Sequence, residues 1–119
     1  MDEEYDFIKD YPDYLLCMTT TDSEEIALRI KDALLSKRIA ACVTILPLGM
    51  SYFWWKGKVD RAREFVLIIK TKKEKVDDVR REVLSNHNYE VAEFLVLPVI
   101  DGSLHYFEWV DSVLGEDGE

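Results

Sequence analysis

The chain has 119 residues, of which 48% are hydrophobic and 33% charged, and its formal net charge is -9. This length can bury one real core, so a single globular domain is expected. Most of the negative charge lies at the two ends, 1–13 and 115–119, while the body between them is nearly balanced. The balanced body excludes the basic surface of a nucleic-acid-binding protein, and no apolar stretch approaches a membrane span.

The two cysteines, Cys17 and Cys42, lie in apolar, strand-like runs without C-x-x-C spacing. This arrangement gives no support for a disulfide scaffold or a zinc ribbon, and it predicts Cys42 as a small core residue. The N-terminus is acidic and lacks the apolar run of a secretory signal. These features predict reduced thiols and a cytoplasmic location.

The first predicted strand is the apolar run 14–20, after which the hydrophobic spacing becomes helical. Thr21 to Glu24 matches the capping box S/T-x-x-E, whose hydroxyl and carboxylate satisfy backbone N–H groups at a helix start. Ile26, Ile30 and Leu34 follow at the spacing of one helix face. An amphipathic helix packed on a sheet is therefore expected.

A long β-hairpin is predicted next. Its strand-like segments are interrupted by Pro47, beyond which a bend or bulge is expected, and Gly57 lies in a tight turn. Glu64, close to two arginines, is expected to be an exposed strand residue in cross-strand charge pairs. The predicted segments are 39–46, 51–55 and 65–71, with the bulge at 48–49 and the turn at 56–58.

The second half of the chain predicts a second helix. Thr71 to Glu74 matches the capping box again, and Val76, Val79 and Val83 form an apolar stripe that ends near 85–86. The basic run 70–75 lies where a helix dipole favours anions such as phosphate, although the acids that follow also fit a solvated helix face.

An apolar run over 94–98 and a short third helix capped by Ser103 complete the pattern. The order is β-α-β-β-α-β with an additional C-terminal helix. This order describes an α+β, ferredoxin-like fold, in which an antiparallel sheet carries helices on one face.

The hairpin is richer in aromatic residues than one core can use. Neighbouring side chains on a strand point to opposite faces, so Trp54 and Trp55 cannot enter the same core. An exposed aromatic patch of this kind usually marks an interface, which predicts self-association. The alternative is that the C-terminal helix, with Phe107 and Trp109, folds over the hairpin and covers it.

Six short blocks stand out along the chain: IAACV at 39–43, YFWWKGK at 52–58, IKT at 69–71, HNYEVAE at 87–93, LP at 97–98 and YFEW at 106–109. In this order and spacing they resemble the signature blocks of the CutA family, the divalent-cation tolerance proteins. The resemblance runs from about Tyr14 to Leu114. It defines a domain over 14–114, flanked by an acidic N-terminal extension over 1–13 and an acidic tail over 115–119.

The resemblance implies a ferredoxin-like subunit in a tight homotrimer, similar in architecture to the PII signalling proteins, with long hairpins that pair across subunits. For function it implies tolerance to, and binding of, divalent metals such as copper or zinc, and no established enzymatic reaction. No organic cofactor is expected. The trimer-interface residues that follow from the aromatic pattern and the resemblance are Tyr52, Trp54, Trp55, Tyr89 and Trp109.

The block at 87–93 departs from the family pattern H-P-Y-E-x-P-E, because Asn88 and Ala92 replace the two prolines. The loop loses two fixed φ angles and is expected to be less rigid. A first-strand thiol of the family would stand at Thr19, and the nearest thiol is Cys17, two residues earlier on the same strand face. A second histidine found in some members is Asn86 here.

The candidate metal ligands are therefore His87, Glu90, Glu93 and Cys17. A neutral imidazole binds metal when further ligands converge on the same point. The alternative for His87 is that it caps the preceding helix by donating to its last carbonyl groups.

Tyr89 and Glu90 could form an acid/base pair, but no nucleophile or oxyanion donor accompanies them, and inter-subunit hydrogen bonds are the alternative. The sequence thus predicts a non-enzymatic, metal-binding trimer. A PII-like signalling or scaffold trimer, which binds a small molecule or partner protein between subunits, remains the second hypothesis.

Overall fold

A four-stranded antiparallel sheet with two helices packed on one face forms the body of the protein. The structure is a computed structural model, and it describes residues 10–115, apart from the side chain at position 48. The elements are β1 (Tyr14–Thr21), α1 (Glu24–Ser36), β2 (Cys42–Trp55), β3 (Lys58–Lys72), a short 3₁₀ helix (Lys73–Lys75), α2 (Val76–Asn86), β4 (Leu95–Pro98) and α3 (Leu104–Leu114). The strand order across the sheet is β2-β3-β1-β4, and every neighbouring pair is antiparallel. The predicted ferredoxin-like fold is confirmed.

The core lies between one face of the sheet and the two helices. Alternate residues of β1 and β3 point into it, as the period of a strand requires, and meet one stripe of each helix. Burying one Val, Leu or Ile side chain stabilises a fold by roughly 1.5 to 3 kcal/mol. The fully buried contributors include Leu15 and Cys17 of β1, Leu67 and Ile69 of β3, Ile30 and Leu34 of α1, and Val79 and Val83 of α2.

Two of the predicted helix caps are wrong. The N-cap of α1 is Ser23, whose Oγ accepts a hydrogen bond from the backbone N–H of Ile26 at 3.2 Å. Thr21, the predicted cap, is still within β1. Thr71 is also within a strand, and its hydroxyl donates to the carbonyl oxygen of Ile39 at 2.6 Å. In both places the first residue of the capping-box pattern still lies in a strand, because the hydrogen bonds within the sheet extend to it.

The hairpin of β2 and β3 is continuous and long. Strand β2 begins at Cys42, three residues later than predicted, and Ile39 is buried in the connection from α1 instead. The register shifts between Leu46 and Gly49, which confirms the predicted bulge. The turn is also confirmed: Lys56 and Gly57 both have positive φ, 51° and 81°, as a two-residue type I′ turn requires.

The distal part of the hairpin projects beyond the rest of the sheet. Strand β1 pairs with β3 only from Phe65 to Lys72, so the segment 58–64 has β2 as its sole partner strand within the described residues. Burial also changes its phase here. It alternates at 67, 69 and 71, but the next buried residue toward the turn is Glu64. A groove lies beside this part of the hairpin.

Helix α3 packs at the end of β3 that is farthest from the hairpin turn. Phe107 stacks on the ring of Tyr14, with ring centroids 4.2 Å apart, and Asp111 pairs with Lys72 at 2.7 Å. The hairpin aromatics remain uncovered, and Trp109 itself is exposed. The alternative in which α3 covers the hairpin is therefore wrong for this chain.

The predicted N-terminal extension falls mostly on residues 1–9, which lie outside the described residues. Tyr11 packs against the core, and the backbone N–H of Lys73 donates to the carbonyl oxygen of Asp13 at 3.0 Å. Of the predicted acidic tail, only residue 115 is described. The boundaries 1–13, 14–114 and 115–119 stay predictions. Among the helices described, none is long and apolar enough to cross a membrane.

Candidate functional site

The loop that joins α2 to β4 is tied to β1 by side-chain hydrogen bonds. Thr19 Oγ1 donates to the carbonyl oxygen of Glu93 at 2.7 Å, and Thr21 Oγ1 donates to Asn88 Oδ1 at 2.7 Å. Asn88 Nδ2 in turn donates to Asp22 Oδ1 at 2.9 Å. Asn88 thus anchors the loop through its side chain, at a position where the resemblance implied a proline. These hydrogen bonds restore part of the rigidity that the loop was expected to lose.

His87 uses both of its ring nitrogens within the chain. Nε2 lies 2.8 Å from the carbonyl oxygen of Thr20, and Nδ1 accepts the backbone N–H of Tyr89 at 3.0 Å. Since a carbonyl oxygen can only accept, the ring is the tautomer protonated at Nε2. The His87 side chain therefore does not cap α2, the alternative raised from the sequence. Asn86 Nδ2 donates to the carbonyl oxygen of Glu82 in α2. A metal could bind His87 only if the ring gave up one of these two contacts.

Tyr89 joins the loop to the hairpin. Its O–H donates to Glu64 Oε2 at 2.5 Å. Burial, and then this hydrogen bond to a carboxylate, raise the pKa of the Tyr89 phenol far above its ordinary value, so it is a donor at neutral pH. The acid/base pair of Tyr89 and Glu90, which the sequence offered only as an alternative without a nucleophile, is not formed, since Glu90 is exposed and the phenol donates to Glu64.

Glu64 is the largest departure from the sequence-based expectation. It was expected to be exposed, but only 5% of its surface is accessible. No Lys, Arg or His side chain of residues 10–115 forms an ion pair with it. Buried carboxylates normally have a cationic partner, because desolvation of a charge is costly. Among residues 10–115, Tyr89 donates a hydrogen bond to Glu64, and no cationic side chain forms an ion pair with it.

Glu93 lies in the same environment. Burial, followed by the negative charge of Glu64, raises the pKa of the Glu93 carboxyl above its ordinary value. The carboxyl groups of Glu64 and Glu93 thus lie close enough to interact electrostatically.

These residues line a groove of about 870 Å³ beside the distal hairpin. The hairpin contributes four aromatic side chains to its lining together with polar ones, and the loop side is mostly polar. The charged residues are five acids and a single base, Arg61. The lining includes Tyr52, Phe53, Trp54, Trp55 and Tyr89 among the aromatics, and Asp22, Asp60, Glu64, Glu90 and Glu93 among the acids.

Cys17 is separate from this groove. It is wholly buried in the core, and burial raises the pKa of its thiol to about 12. At neutral pH it is a neutral thiol, whereas a metal ligand must be a thiolate. Cys42 is half-buried rather than a full core residue, and Lys70 Nζ lies 3.6 Å from its Sγ.

The predicted metal ligands are thus brought together only in part. Glu90 and Glu93 line the groove, His87 has both ring nitrogens engaged in hydrogen bonds, and Cys17 is in the core. Within the described range 10–115, no group of three His, Cys, Asp or Glu side chains converges to hold an ion. The predicted set stays a prediction that would need rearrangement or a second chain.

Of the predicted interface residues, the hairpin aromatics are available to a partner. Tyr52 and Trp54 are 66% and 76% exposed, and Trp55 and Trp109 are 43% and 44% exposed. Tyr89 is half-buried and is already hydrogen-bonded within the chain. The basic run 70–75 does not form one anion site, because Lys72 and Lys73 pair with Asp111 and Asp13.

The chain has the α+β, ferredoxin-like fold, with a hairpin that projects past the sheet and the loop 87–93 beside it. Residues 15–113 match the family described as CutA1 divalent ion tolerance protein. The chain belongs to this family.

Similar proteins come from distant organisms. The divalent-cation tolerance protein CutA of Archaeoglobus fulgidus is 41% identical over 95 residues, which cover 80% of this chain and 92% of that protein. The human protein CutA is 40% identical over 94 residues, 79% of this chain. This chain spans only about half the length of the human protein, with 52% of it covered.

Solved structures agree with the fold. The structure described as the periplasmic divalent cation tolerance protein CutA from Archaeoglobus fulgidus superposes with a TM-score of 0.81 at 39% identity, covering 85% of this chain and 98% of that one. CutA1 from Oryza sativa gives a TM-score of 0.83 at 35% identity, covering 89% and 97%.

Proposed function

We propose that this protein is a non-enzymatic homotrimer that contributes to divalent-cation tolerance by binding metal weakly in the groove beside the hairpin. The observation that carries the proposal is the burial of Glu64 without a cationic partner in residues 10–115. A cation in the groove would offset the charge of Glu64 and relieve its repulsion with Glu93.

The donor set favours weak binding. Glu64, Glu90 and Glu93 line the groove, where their carboxylate oxygens could bind a cation. Oxygen ligands suit hard divalent cations better than copper. Copper or zinc would gain from the imidazole of His87, which must first release the Thr20 carbonyl or the Tyr89 N–H. Cys17 would join only if its buried thiol became accessible.

The homotrimer is supported by the uncovered face of the sheet. Met18 of β1, Ile68 of β3 and Leu95 of β4 stand in one row across it, and Leu95 is exposed. The projecting hairpin adds Tyr52 and Trp54, which are also exposed. Apolar surface of this extent is covered in most soluble proteins, and association of identical chains would cover it here.

The absence of an enzymatic role is part of the same proposal. Tyr89 is a protonated donor that is committed to Glu64, and the groove residues offer no activated nucleophile among the described part of the chain. A cytoplasmic location is also proposed, since both cysteines are free. The names of relatives differ on this point, with "periplasmic" for the Archaeoglobus structure and "chloroplastic" for the rice protein.

The proposal is tested by calorimetric titration of the metal-stripped protein with zinc and then copper at neutral pH. The wild type should bind, and Glu93→Gln should weaken binding about tenfold, a loss of about 1.4 kcal/mol. Glu108→Gln, on α3 and outside the groove, is the matched control and should bind like the wild type. No heat of binding with either metal would contradict the proposal.

His87→Ala answers a separate question in the same titration. If copper binding is lost while zinc binding persists, the imidazole leaves Thr20 and joins the copper site. If both metals bind as in the wild type, the groove carboxylates suffice.

A further inference from the structure

A shallow cleft of about 540 Å³ lies on the side of α2 that faces away from the core, and it shares no lining residue with the groove beside the hairpin. Its lining consists of Asp77, Arg80, Arg81, Leu84 and Ser85. We propose that this surface, the α2 cleft, is covered by residues 1–9 of the same chain, which lie outside the described residues. The proposal does not depend on metal binding by the protein.

The described structure begins beside the start of α2. Tyr11 packs against the core, and the backbone N–H of Lys73, in the 3₁₀ helix that precedes α2, donates to the carbonyl oxygen of Asp13 at 3.0 Å. Lys73 Nζ also pairs with Asp13 Oδ1 at 3.3 Å. Residues 1–9 are therefore joined to the chain next to the N-terminal end of the helix that carries the cleft.

The length of this segment matches the distance to the cleft. Leu84 lies eight residues after Val76, the first residue of α2, which is about 12 Å along the helix axis. Phe7 and Tyr5 precede Asp10 by three and five residues, and an extended chain of these lengths spans roughly 10 Å and 17 Å. The two aromatic residues thus bracket the position of Leu84.

Leu84 is the apolar side chain that the segment would cover. It is 46% exposed, although it belongs to a helix whose valines are buried. The apolar residues of the segment are Tyr5, Phe7 and Ile8. Contact of an aromatic ring with Leu84 removes apolar surface of both side chains from water, which favours docking.

The charges of the segment and of the cleft are opposite in sign. Residues 1–9 contain four acids and one lysine, whereas two arginines and one aspartate line the cleft. Arg80 and Arg81 pair with Asp77 and Asp78, but such pairs on one helix surface contribute little to stability. A guanidinium group has five N–H donors, so each arginine can contact a further carboxylate of the segment.

The α2 cleft is also compatible with the proposed trimer. Helix α2 packs on the face of the sheet that carries Leu15 and Ile69. The row assigned to the subunit contact, Met18, Ile68 and Leu95, lies on the opposite face. A segment bound to α2 therefore does not compete with a neighbouring subunit for that face.

The test is NMR spectroscopy of the full-length protein with labelled leucine methyl groups and aromatic rings. Nuclear Overhauser contacts are expected between the ring of Tyr5 or Phe7 and the methyl groups of Leu84. Leu28, which is 43% exposed on α1, is the matched control and should have no contact with these rings.

Variants separate the apolar and the charged contributions. Tyr5→Ser combined with Phe7→Ser should make the Leu84 methyl groups more accessible to a soluble paramagnetic probe and leave those of Leu28 unchanged. Arg81→Glu should abolish the contacts between the rings and Leu84, since it repels the acids of the segment. Arg29→Glu reverses the same charge on α1 and should preserve these contacts.

The contacts in the wild type decide the proposal even if a variant is unstable. The absence of contacts between the rings and Leu84 overturns it, and so do contacts of the rings with leucines of another surface only. A mixture of differently labelled chains distinguishes a further outcome. Contacts that occur only between chains would place the segment on a neighbouring copy and would also overturn the proposal.

Discussion

The phenol of Tyr89 donates a 2.5 Å hydrogen bond to the buried carboxylate of Glu64, and this bond joins the loop after α2 to the middle of β3. The two residues are far apart in the sequence. Their contact closes one end of the groove, and it makes the loop and the hairpin one structural unit. Neither residue forms an ion pair with a Lys, Arg or His side chain of residues 10–115, and under the proposed function a cation in the groove would supply the positive charge.

Tyr89→Phe should destabilise the protein by about 1 to 3 kcal/mol, because the buried carboxylate of Glu64 loses its hydrogen-bond donor. Urea denaturation in the presence of a chelator measures the loss as a change in the free energy of unfolding. Tyr52→Phe, at an exposed position of the hairpin, is the matched control and should change this free energy by less than 0.5 kcal/mol, roughly. Equal stability of Tyr89→Phe and wild type would show that the bond contributes nothing.

Glu93 should make stability fall as pH rises. Its folded-state pKa is raised above the ordinary 4.5, so the folded protein holds the proton more tightly than the unfolded chain. Below the pKa of Glu93 in the unfolded chain, the residue is protonated in both states and costs the fold no stability. As pH rises through the folded-state pKa, Glu93 ionises in the folded protein and stability is lost. Glu93→Gln should therefore flatten the stability profile above pH 4.5 and stabilise the protein at neutral pH.

Urea unfolding at closely spaced pH values, with a chelator present, measures this profile. Glu90→Gln, at an exposed position of the same loop, should leave its shape unchanged. If the free energy of unfolding of Glu93→Gln depends on pH in the same way as that of the wild type, the proposed repulsion between Glu93 and Glu64 is contradicted.

The two neighbouring tryptophans should respond differently to substitution. Trp54 is 76% exposed and Trp55 43% exposed, so Trp55 has more packing within its own chain. Trp54→Ser should weaken assembly with little effect on the fold of one chain, whereas Trp55→Ser should weaken both.

Sedimentation equilibrium measures the assembly, and urea denaturation at low protein concentration measures the fold. Leu28→Ser, at an exposed position on the outer face of α1, is the control and should leave the association constant unchanged. A trimer as stable in Trp54→Ser as in the wild type would place the interface elsewhere. A wild-type mass of 13.9 kDa at micromolar concentration would contradict the trimer itself.

The fold could be predicted from the sequence because its signals are local and repeated. The apolar stripe Val76, Val79 and Val83 marks a helix face, and Lys56-Gly57 fits a turn that needs two positive φ angles. The caps at Thr21 and Thr71 were misassigned, because a motif of four residues cannot show whether its first residue still pairs in a strand.

The site was predicted less well because its contacts are long-range. Loop residues 87–93 were identified, but their partners on β1 and β3 were not, since nothing local links Tyr89 to Glu64 or Thr21 to Asn88. One signal for Glu64 was present. The bulge expected at 48–49 lies opposite this part of β3, and a bulge alters the alternation that made Glu64 appear exposed.

Anomalous diffraction from crystals soaked with zinc tests most directly whether the groove beside the hairpin holds a divalent cation. We predict a peak within about 2.2 Å of a carboxylate oxygen of Glu64 or Glu93, the distance of a zinc–oxygen bond. A peak only at surface sites outside the groove, or no peak at a zinc concentration that saturates the calorimetric titration, would contradict the account.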